Sequence, residues 1–542
     1  MKQAATSDDA ASVARESPGP AAAAVPTARR ASPWHSPPFR LLLVLWLAAN
    51  VSMSMHEATS AWLMASLGAS AFVVALLQAL LAFPSFLLAM PSGALTDLAD
   101  RRRILIAAYG LKSAVGFALG IGILAGFVSP AMLLVGALAM GLTFSLRLPA
   151  YSALVQEVVP REALPRAIVW AGGAMNASRT VGPLLAGAII ALSGPAVSFL
   201  AIGVVMLAVT VVLTRWRRLR APASTLPSER FIGAMRVGLQ FARQTPAVRA
   251  ALVRGFSYFL SAAAIVALLP VVVRDELGGG SNVYSLLLGL FGLGAVVLAM
   301  TIHIWRRRLS RDGMIIAGIV LQTATAIAFA ISDEVVVLAV AMVASGAAWI
   351  SVASALSVTA QLALPAWVRG RGLAAVQMAF MGGSTFGALL WGQVATTWNL
   401  RIAFVAAAIA TLASLALARR YPLSDIREED LTPSRHWREP EVAEPVEHDE
   451  GPVQVMVEYV IDPVNAAAFV ELMQESRRSR LRAGASSWAL FRDPANPGRY
   501  VEQWVEESWL ELLRHRDRVT VSERELRDAK RAFHLGPEPP AR

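Results

Sequence analysis

The sequence predicts an all-α polytopic membrane protein, with twelve transmembrane helices in two six-helix halves, followed by a small α+β domain. Three observations predict it. The 542-residue chain is 56% hydrophobic and only 16% charged, where a soluble domain carries about 25% charge. From Leu41 to Ala418, long apolar runs alternate with short polar breaks. Beyond residue 452 the composition becomes that of an ordinary soluble domain.

Residues 1–39 are rich in Ala, Pro and Ser, with prolines from Pro18 to Pro38 and no apolar periodicity. They read as a disordered tail. No charged segment runs directly into an apolar one here, which argues against a cleavable signal peptide. A bilayer core of ~30 Å needs about 20 apolar residues per helix. Residues 40–214 hold six such runs, at 41–66, 71–95, 104–127, 131–153, 167–191 and 196–214. Residues 250–418 hold six more, at 250–272, 283–304, 314–332, 334–357, 372–396 and 401–418. The longest loop, 215–249, divides them. A charged, proline-containing linker spans 419–452, and the soluble domain spans 453–535.

Arginine placement sets the expected orientation. With the amino terminus inside, the cytoplasmic loops hold Arg101–Arg103, Arg161, Arg166, the cluster from Arg215 to Arg230, Arg306–Arg308, Arg369 and Arg371. The opposite loops offer little beyond Arg274 and Arg401. Both termini are therefore expected in the cytoplasm of a bacterial cell, with the helices in its inner membrane. An internal echo supports two halves of common plan. At an offset of 205 residues Arg101–Arg103 fall on Arg306–Arg308, Gln156 on Gln361, Pro160 on Pro365, Arg166 on Arg371, Gly182 on Gly387 and Gly187 on Gly392. Repeated halves around a midplane site are a building plan of secondary transporters.

Several function classes drop out. The absence of cysteine removes disulfides, thiolate metal sites and cysteine nucleophiles. The seven histidines show no ligand spacing, so no metal and no catalytic set is expected. The net charge of +11 does not point to nucleic acid, because its arginines are spread over loops constrained by the membrane. No phosphate-binding glycine motif opens a helix after a strand. Energy for transport is thus expected from an ion gradient, without a cofactor.

The second apolar run leads into Pro91-Ser92-Gly93-Ala94-Leu95-Thr96-Asp97-Leu98-Ala99-Asp100-Arg101-Arg102-Arg103. This stretch resembles the loop signature of the major facilitator superfamily, matched by Gly93, Leu95, Asp97, Arg101 and Arg102, with Leu98 and Asp100 departing from it. The resemblance implies a conformational-gating loop; a positive-inside anchor explains the same arginines. The fifth run carries Arg179-Thr180-Val181-Gly182-Pro183-Leu184-Leu185-Ala186-Gly187. Arg179, Gly182, Pro183 and Gly187 resemble the kinked motif of the superfamily's exporters, though a Gly-Pro kink also serves simple packing. Asn50–Met64, Ala94–Leu105, Val158–Arg166 and Pro365–Leu373 resemble the bacterial branch containing the enterobactin exporter and related siderophore or drug carriers. That branch implies a proton-coupled antiporter for efflux, with siderophore export or multidrug resistance as its role. A carrier working as an importer stays open.

Ionisable groups within apolar runs default to functional hypotheses. His56 and Glu57 sit in the outer half of the first run among Asn50, Ser52, Ser54 and Thr59, and are candidates for coupling a proton. Both would hydrate freely if they lie at the interface instead. Asn50 and Arg147 are candidate cargo contacts, and Arg179 is expected in a buried polar contact. By the superfamily resemblance, in which helices one, four, seven and ten line the cavity, Ser257, Tyr258 and Trp349 join the cargo candidates.

In the tail, Val453, Val455, Val457, Tyr459 and Ile461 alternate with polar residues as a strand does. Asp462-Pro463 begins a helix, strands follow at 488–491 and 500–505, and Ser508/Glu511 and Thr520/Glu523 mark further helix starts. The order β-α-β-β-α resembles the ferredoxin-like domain of the antibiotic-biosynthesis monooxygenases, without their usual last strand. That family pairs such domains across the sheet, which implies a homodimer through this domain. A regulatory or dimerising role is expected, and the alternative is a bifunctional carrier whose tail uses Trp488, His515 and His534 to oxidise or bind cargo.

Overall fold

A computed structural model describes residues 32–216, 238, 240–365, 367–423, 446–447 and 450–536. Residues 1–31 of the tail expected to be disordered, most of the central loop and most of the linker lie outside them.

Among the described residues, twelve helices are long and apolar enough to cross a membrane. They are α1 Pro37–Ser66, α2 Ala71–Leu98, α3 Arg101–Leu124, α4 Pro130–Val158, α5 Leu164–Ser193 and α6 Pro195–Arg215, then α7 Pro246–Asp275, α8 Ser281–Arg308, α9 Arg311–Ile331, α10 Val335–Leu362 and α11 Arg369–Thr397. The last span runs from Leu400 to Arg420 as α12 Leu400–Ala413 and the short α13 Ala416–Arg420. Local chemistry marks the starts. Ser36, Ser70, Ser129, Ser310 and Asn399 each accept a backbone N–H three residues on, and prolines open α1 and α4. At α3 the cap is Asp100, which accepts from Arg102 N and Arg103 N. Asp100, one of the two residues that depart from the superfamily's loop pattern, thus starts this helix.

The two halves repeat, with one correction to the register. Helices α4, α5 and α6 begin at residues 130, 164 and 195 and their counterparts at 335, 369 and 400, 205 apart. Helices α1, α2 and α3 begin at 37, 71 and 101 and their counterparts at 246, 281 and 311, 209 or 210 apart. Arg101 therefore corresponds to Arg311. Arg306–Arg308 close α8, whereas Arg101–Arg103 open α3, so the two triplets are not equivalent.

Helices α2 with α11 and α5 with α8 form the seams between the halves. Gly187 on α5 meets Ser285 on α8, where an added Cβ would stand 2.5 Å from the serine Oγ. Gly392 on α11 meets Ala75 on α2 in the same way, at 2.5 Å. With the corrected register these are counterpart contacts. Phe72 N donates to Thr396 Oγ1 at 2.8 Å, Trp62 stacks on Tyr284, and Arg274 donates to the Ala65 and Ala69 carbonyls. All these contacts lie toward the face opposite the arginine-rich loops, which seals that face.

The tail folds as β1 Val453–Val460, α14 Ala466–Ala483, β2 Ser487–Arg492, β3 Arg499–Glu506, α15 Trp509–Arg518 and α16 Val521–Ala532. Its three antiparallel strands take the order β1-β3-β2. Thr520 and Glu523 form a reciprocal capping box at the start of α16. Two bonds reach the β1 edge from beyond α16: Val460 N donates to His534 Nδ1 at 3.0 Å, and Leu535 N to the Val460 carbonyl at 2.8 Å. Beneath the sheet lies a closed ionic cluster. Glu502, fully buried, accepts from Lys530, Ser476, Trp488 Nε1 and the Tyr459 hydroxyl at 2.6–3.2 Å. Burial alone would raise this carboxyl, but Lys530 and Arg480, with the hydrogen bonds, hold it at about 2.

The tail seats on the carboxy-terminal half. Gln240 Nε2 donates to the Ala485 carbonyl at 2.9 Å, and the Arg482 guanidinium lies 5.6 Å from the Phe241 ring centre. Phe241 meets Trp367 edge-on, from the turn between α10 and α11.

Candidate functional site

Between the halves lies a cavity of about 210 Å³. It is lined from α1, α2, α4 and α5 on one side and α7, α10 and α11 on the other. Its charge is one-sided. The amino-terminal half supplies Glu57, Arg147 and Arg179; the other half supplies neutral groups, among them Trp349, Gln377 and Ser384.

Each charged side chain is there for a traceable reason. Asn50 and Glu57 lie seven residues apart on α1, two helical turns, so both face the cavity. Arg147, 1% exposed, is held in place from several sides. Its Nη2 donates to Asn50 Oδ1 at 2.8 Å, and its guanidinium lies 4.7 Å from the Trp46 ring centre and 5.1 Å from that of Phe144. Asn50 is itself fixed by its Nδ2 donating to the Trp46 carbonyl. Trp46 stacks on Tyr151 at 4.0 Å and donates its Nε1–H to the Ala171 carbonyl. The Arg147 Nη1 is buried without a hydrogen-bond partner among the described residues. Arg179 reaches the cavity from α5, whose Gly182 lets the helix sit against Ser54 and Val51 of α1.

Of the residues singled out by sequence, Asn50, Glu57, Arg147, Arg179 and Trp349 converge on this cavity. His56 does not: it is fully buried, its Nε2 lies 3.3 Å from Ser60 Oγ, and its ring meets Phe199 of α6 edge-on. Adjacent helical positions point about 100° apart, so only one of the pair faces the cavity. Ser257 and Tyr258 are also absent from the lining. Tyr258 is buried edge-on to Phe259, and that phenylalanine stands between it and Trp349.

The gating-loop residues divide. Arg101 pairs with Glu157 of α4 and donates to the Thr96 carbonyl. Arg102 donates to the Leu213 and Thr214 carbonyls at the end of α6, satisfying helix-terminal acceptors. Gly93 and Asp97 lie on the last turns of α2, and their side chains fall outside the described groups. In the exporter-like motif, Gly182 packs α5 on α1 and Gly187 packs it on α8, with Pro183 buried between them.

Sequence reasoning passed over Gln78, Gln377 and Ser384 in the lining, and over Lys112 of α3. Lys112 is 1% exposed and donates to the Ala49 carbonyl at 2.7 Å. A lone lysine inside an apolar run was the signal available for it. Among the described residues no cluster of His, Cys, Asp and Glu could hold a metal ion.

The sequence matches the family described as transmembrane secretion effector over residues 28–542. The chain belongs to this family, within the major facilitator superfamily. The match runs through the soluble tail. The sequence matches no curated protein. Among solved structures, the fold is similar to the nucleoside transporter NupG (TM-score 0.54, 13% identity, 72% of this chain and 99% of that one). It is similar also to a bacterial homologue of the human lysosomal transporter Spinster, inward-facing and occupied (TM-score 0.58, 13% identity, 73% and 98%). A third is a POT-family transporter in complex with 5-aminolevulinic acid (TM-score 0.58, 10% identity, 71% and 96%). At these identities the likeness is one of fold. The protein is a multi-pass membrane transporter of the major facilitator fold carrying a small α+β domain.

Proposed function

We propose that this secretion-effector family member is a secondary carrier that exports a small molecule from the cytoplasm across the bacterial inner membrane, driven by proton entry through Glu57. The observation that carries the reading is the placement of Glu57: the cavity's one carboxylate among the described residues, in the space between the halves, with Arg179 lining the same space. A carboxylate exposed alternately to the two sides can load a proton on one and release it on the other. Cargo and proton then compete for the same charged pocket, which couples their opposite movements.

The sealed seam lies away from the arginine-rich loops. Under the positive-inside rule that face is the periplasmic one and both termini are cytoplasmic. Siderophore-like and drug-like compounds are the cargo classes of this reading, met by a lining that sets aromatic and aliphatic side chains beside Glu57, Arg147 and Arg179. The tail serves as a docking and pairing module. His515 Nδ1 engages Glu506 at 2.7 Å, Trp488 and His534 hold structural bonds, and Met456 and Phe491 stand exposed on the open sheet face. That face suits a second copy of the chain.

The test is export of a compound panel from cells expressing the protein, with and without a protonophore. Export is expected to stop when the gradient collapses, and Glu57→Gln is expected to abolish it at unchanged protein level. Undiminished export by Glu57→Gln would remove Glu57 from the mechanism.

A further inference from the structure

The cavity holds two guanidiniums and one carboxylate, and all three come from the same half. Arginine stays protonated at any physiological pH. An uncompensated cation in a low-dielectric interior is costly unless something neutralises it. Arg147 has no carboxylate among its hydrogen-bond partners in the described residues; it has the Asn50 amide oxygen, the neighbouring Tyr109 hydroxyl and two aromatic faces. Those contacts leave Nη1 buried and without a partner. The side chain is also rigid, because Asn50 and Trp46, which hold it, are each tied to backbone carbonyls. A fixed, desolvated guanidinium with a spare donor is a preorganised receptor for an oxyanion.

The geometry points to a cargo that carries a carboxylate on an aromatic or otherwise flat apolar body, its anionic group bound at Arg147. The body lies along Phe144, which meets that arginine, and Met175, Trp349 and Met381, further apolar and aromatic lining of the same cavity. This rests on reading the cavity as the cargo site, and it narrows the cargo to anions. The carboxylate completes the hydrogen bonding of Nη1 and balances the second positive charge. A cationic drug would add a third positive charge to the pocket and is disfavoured.

The test uses the full-length protein purified in detergent, with 2-naphthoate and its neutral isostere 2-naphthamide as probes. Binding is read by quenching of tryptophan emission and by thermal shift. The acid is expected to bind at least tenfold more tightly than the amide. Arg147→Gln is expected to erase that preference and Arg147→Lys to keep part of it, both eluting as a single species. If Arg147→Gln does not fold, the acid–amide comparison in wild type and Arg147→Lys decides. Equal affinity for acid and amide, or binding of neither, overturns the inference. Glu57→Gln is expected to retain the acid preference, which separates the two ideas. Loss of coupling with retained anion preference supports both, and unchanged transport by Glu57→Gln with retained anion preference removes only the proton-coupling reading.

Discussion

A single methyl group at position 187 should shift the balance between the two access states. Gly187 abuts Ser285 across the α5–α8 seam, and a Cβ there would stand 2.5 Å from the Ser285 Oγ and closer still to its Cβ. The serine Cβ is fixed to the backbone and cannot swing aside, so the helices themselves must separate. Overpacking of this kind costs about 1–3 kcal/mol. The helix-propensity gain of replacing glycine by alanine, up to about 1 kcal/mol, is present in both states and cancels. Gly187→Ala therefore destabilises the sealed state alone, shifting the equilibrium roughly 5- to 150-fold toward separation of the seam. The natural chain has no cysteine, so a single introduced one reports without background. Ala79 on α2, 2% exposed in a small alanine cluster with Ala75, Ala267 and Ala388, is a suitable position. Labelling of Ala79→Cys by a hydrophilic maleimide should accelerate in the Gly187→Ala background by a factor in that range. Gly173→Ala, with nothing within 4 Å of the added atom, should leave it unchanged. Equal labelling rates with and without Gly187→Ala would refute the reasoning that this contact holds the seam closed.

Other outcomes follow from the same contacts. Lys530→Met leaves Glu502 buried with Arg480 as its remaining cation, at 3.8 Å, and should cost the tail about 3–5 kcal/mol; hydrogen exchange of β3 amides in the full chain measures it. The wild-type tail should also lose stability in acid. Glu502 is held at about 2 against an ordinary 4.5, worth about 3 kcal/mol, present above pH 4.5 and lost progressively as pH falls toward 2. Unchanged β3 exchange between pH 6 and pH 3, after correction for intrinsic rates, would contradict this. Arg482→Ala together with Gln240→Ala should release the tail from the carboxy-terminal half, seen as faster proteolysis between residues 423 and 450. Arg102→Ala should loosen the end of α6, read as faster exchange at Leu213 and Thr214, whose carbonyls it caps.

Composition and periodicity were enough for the twelve spans, because a bilayer demands long apolar helices whatever their neighbours are. The tail's strand and helix order was equally legible, since period-two alternation and capping boxes are local signals. Even Asn50, Glu57, Arg147 and Arg179 stood out as polar groups in apolar runs. Their convergence on one cavity did not, because it depends on helix rotation and on which half each helix faces. Neighbouring positions illustrate the point: Glu57 faces the cavity, while His56 is buried against α6. Likewise Trp349 reaches the cavity and Tyr258 does not, since Phe259 stands between them. The repeat was visible at an offset of 205, but only helix starts revealed the second offset and moved the counterpart of Arg101 to Arg311. By itself, then, the sequence determined what crosses the membrane and which residues are too polar to be there without a purpose. The tertiary structure decided which of them share a space, which face is sealed and where the tail sits, because those depend on contacts between segments far apart in the chain.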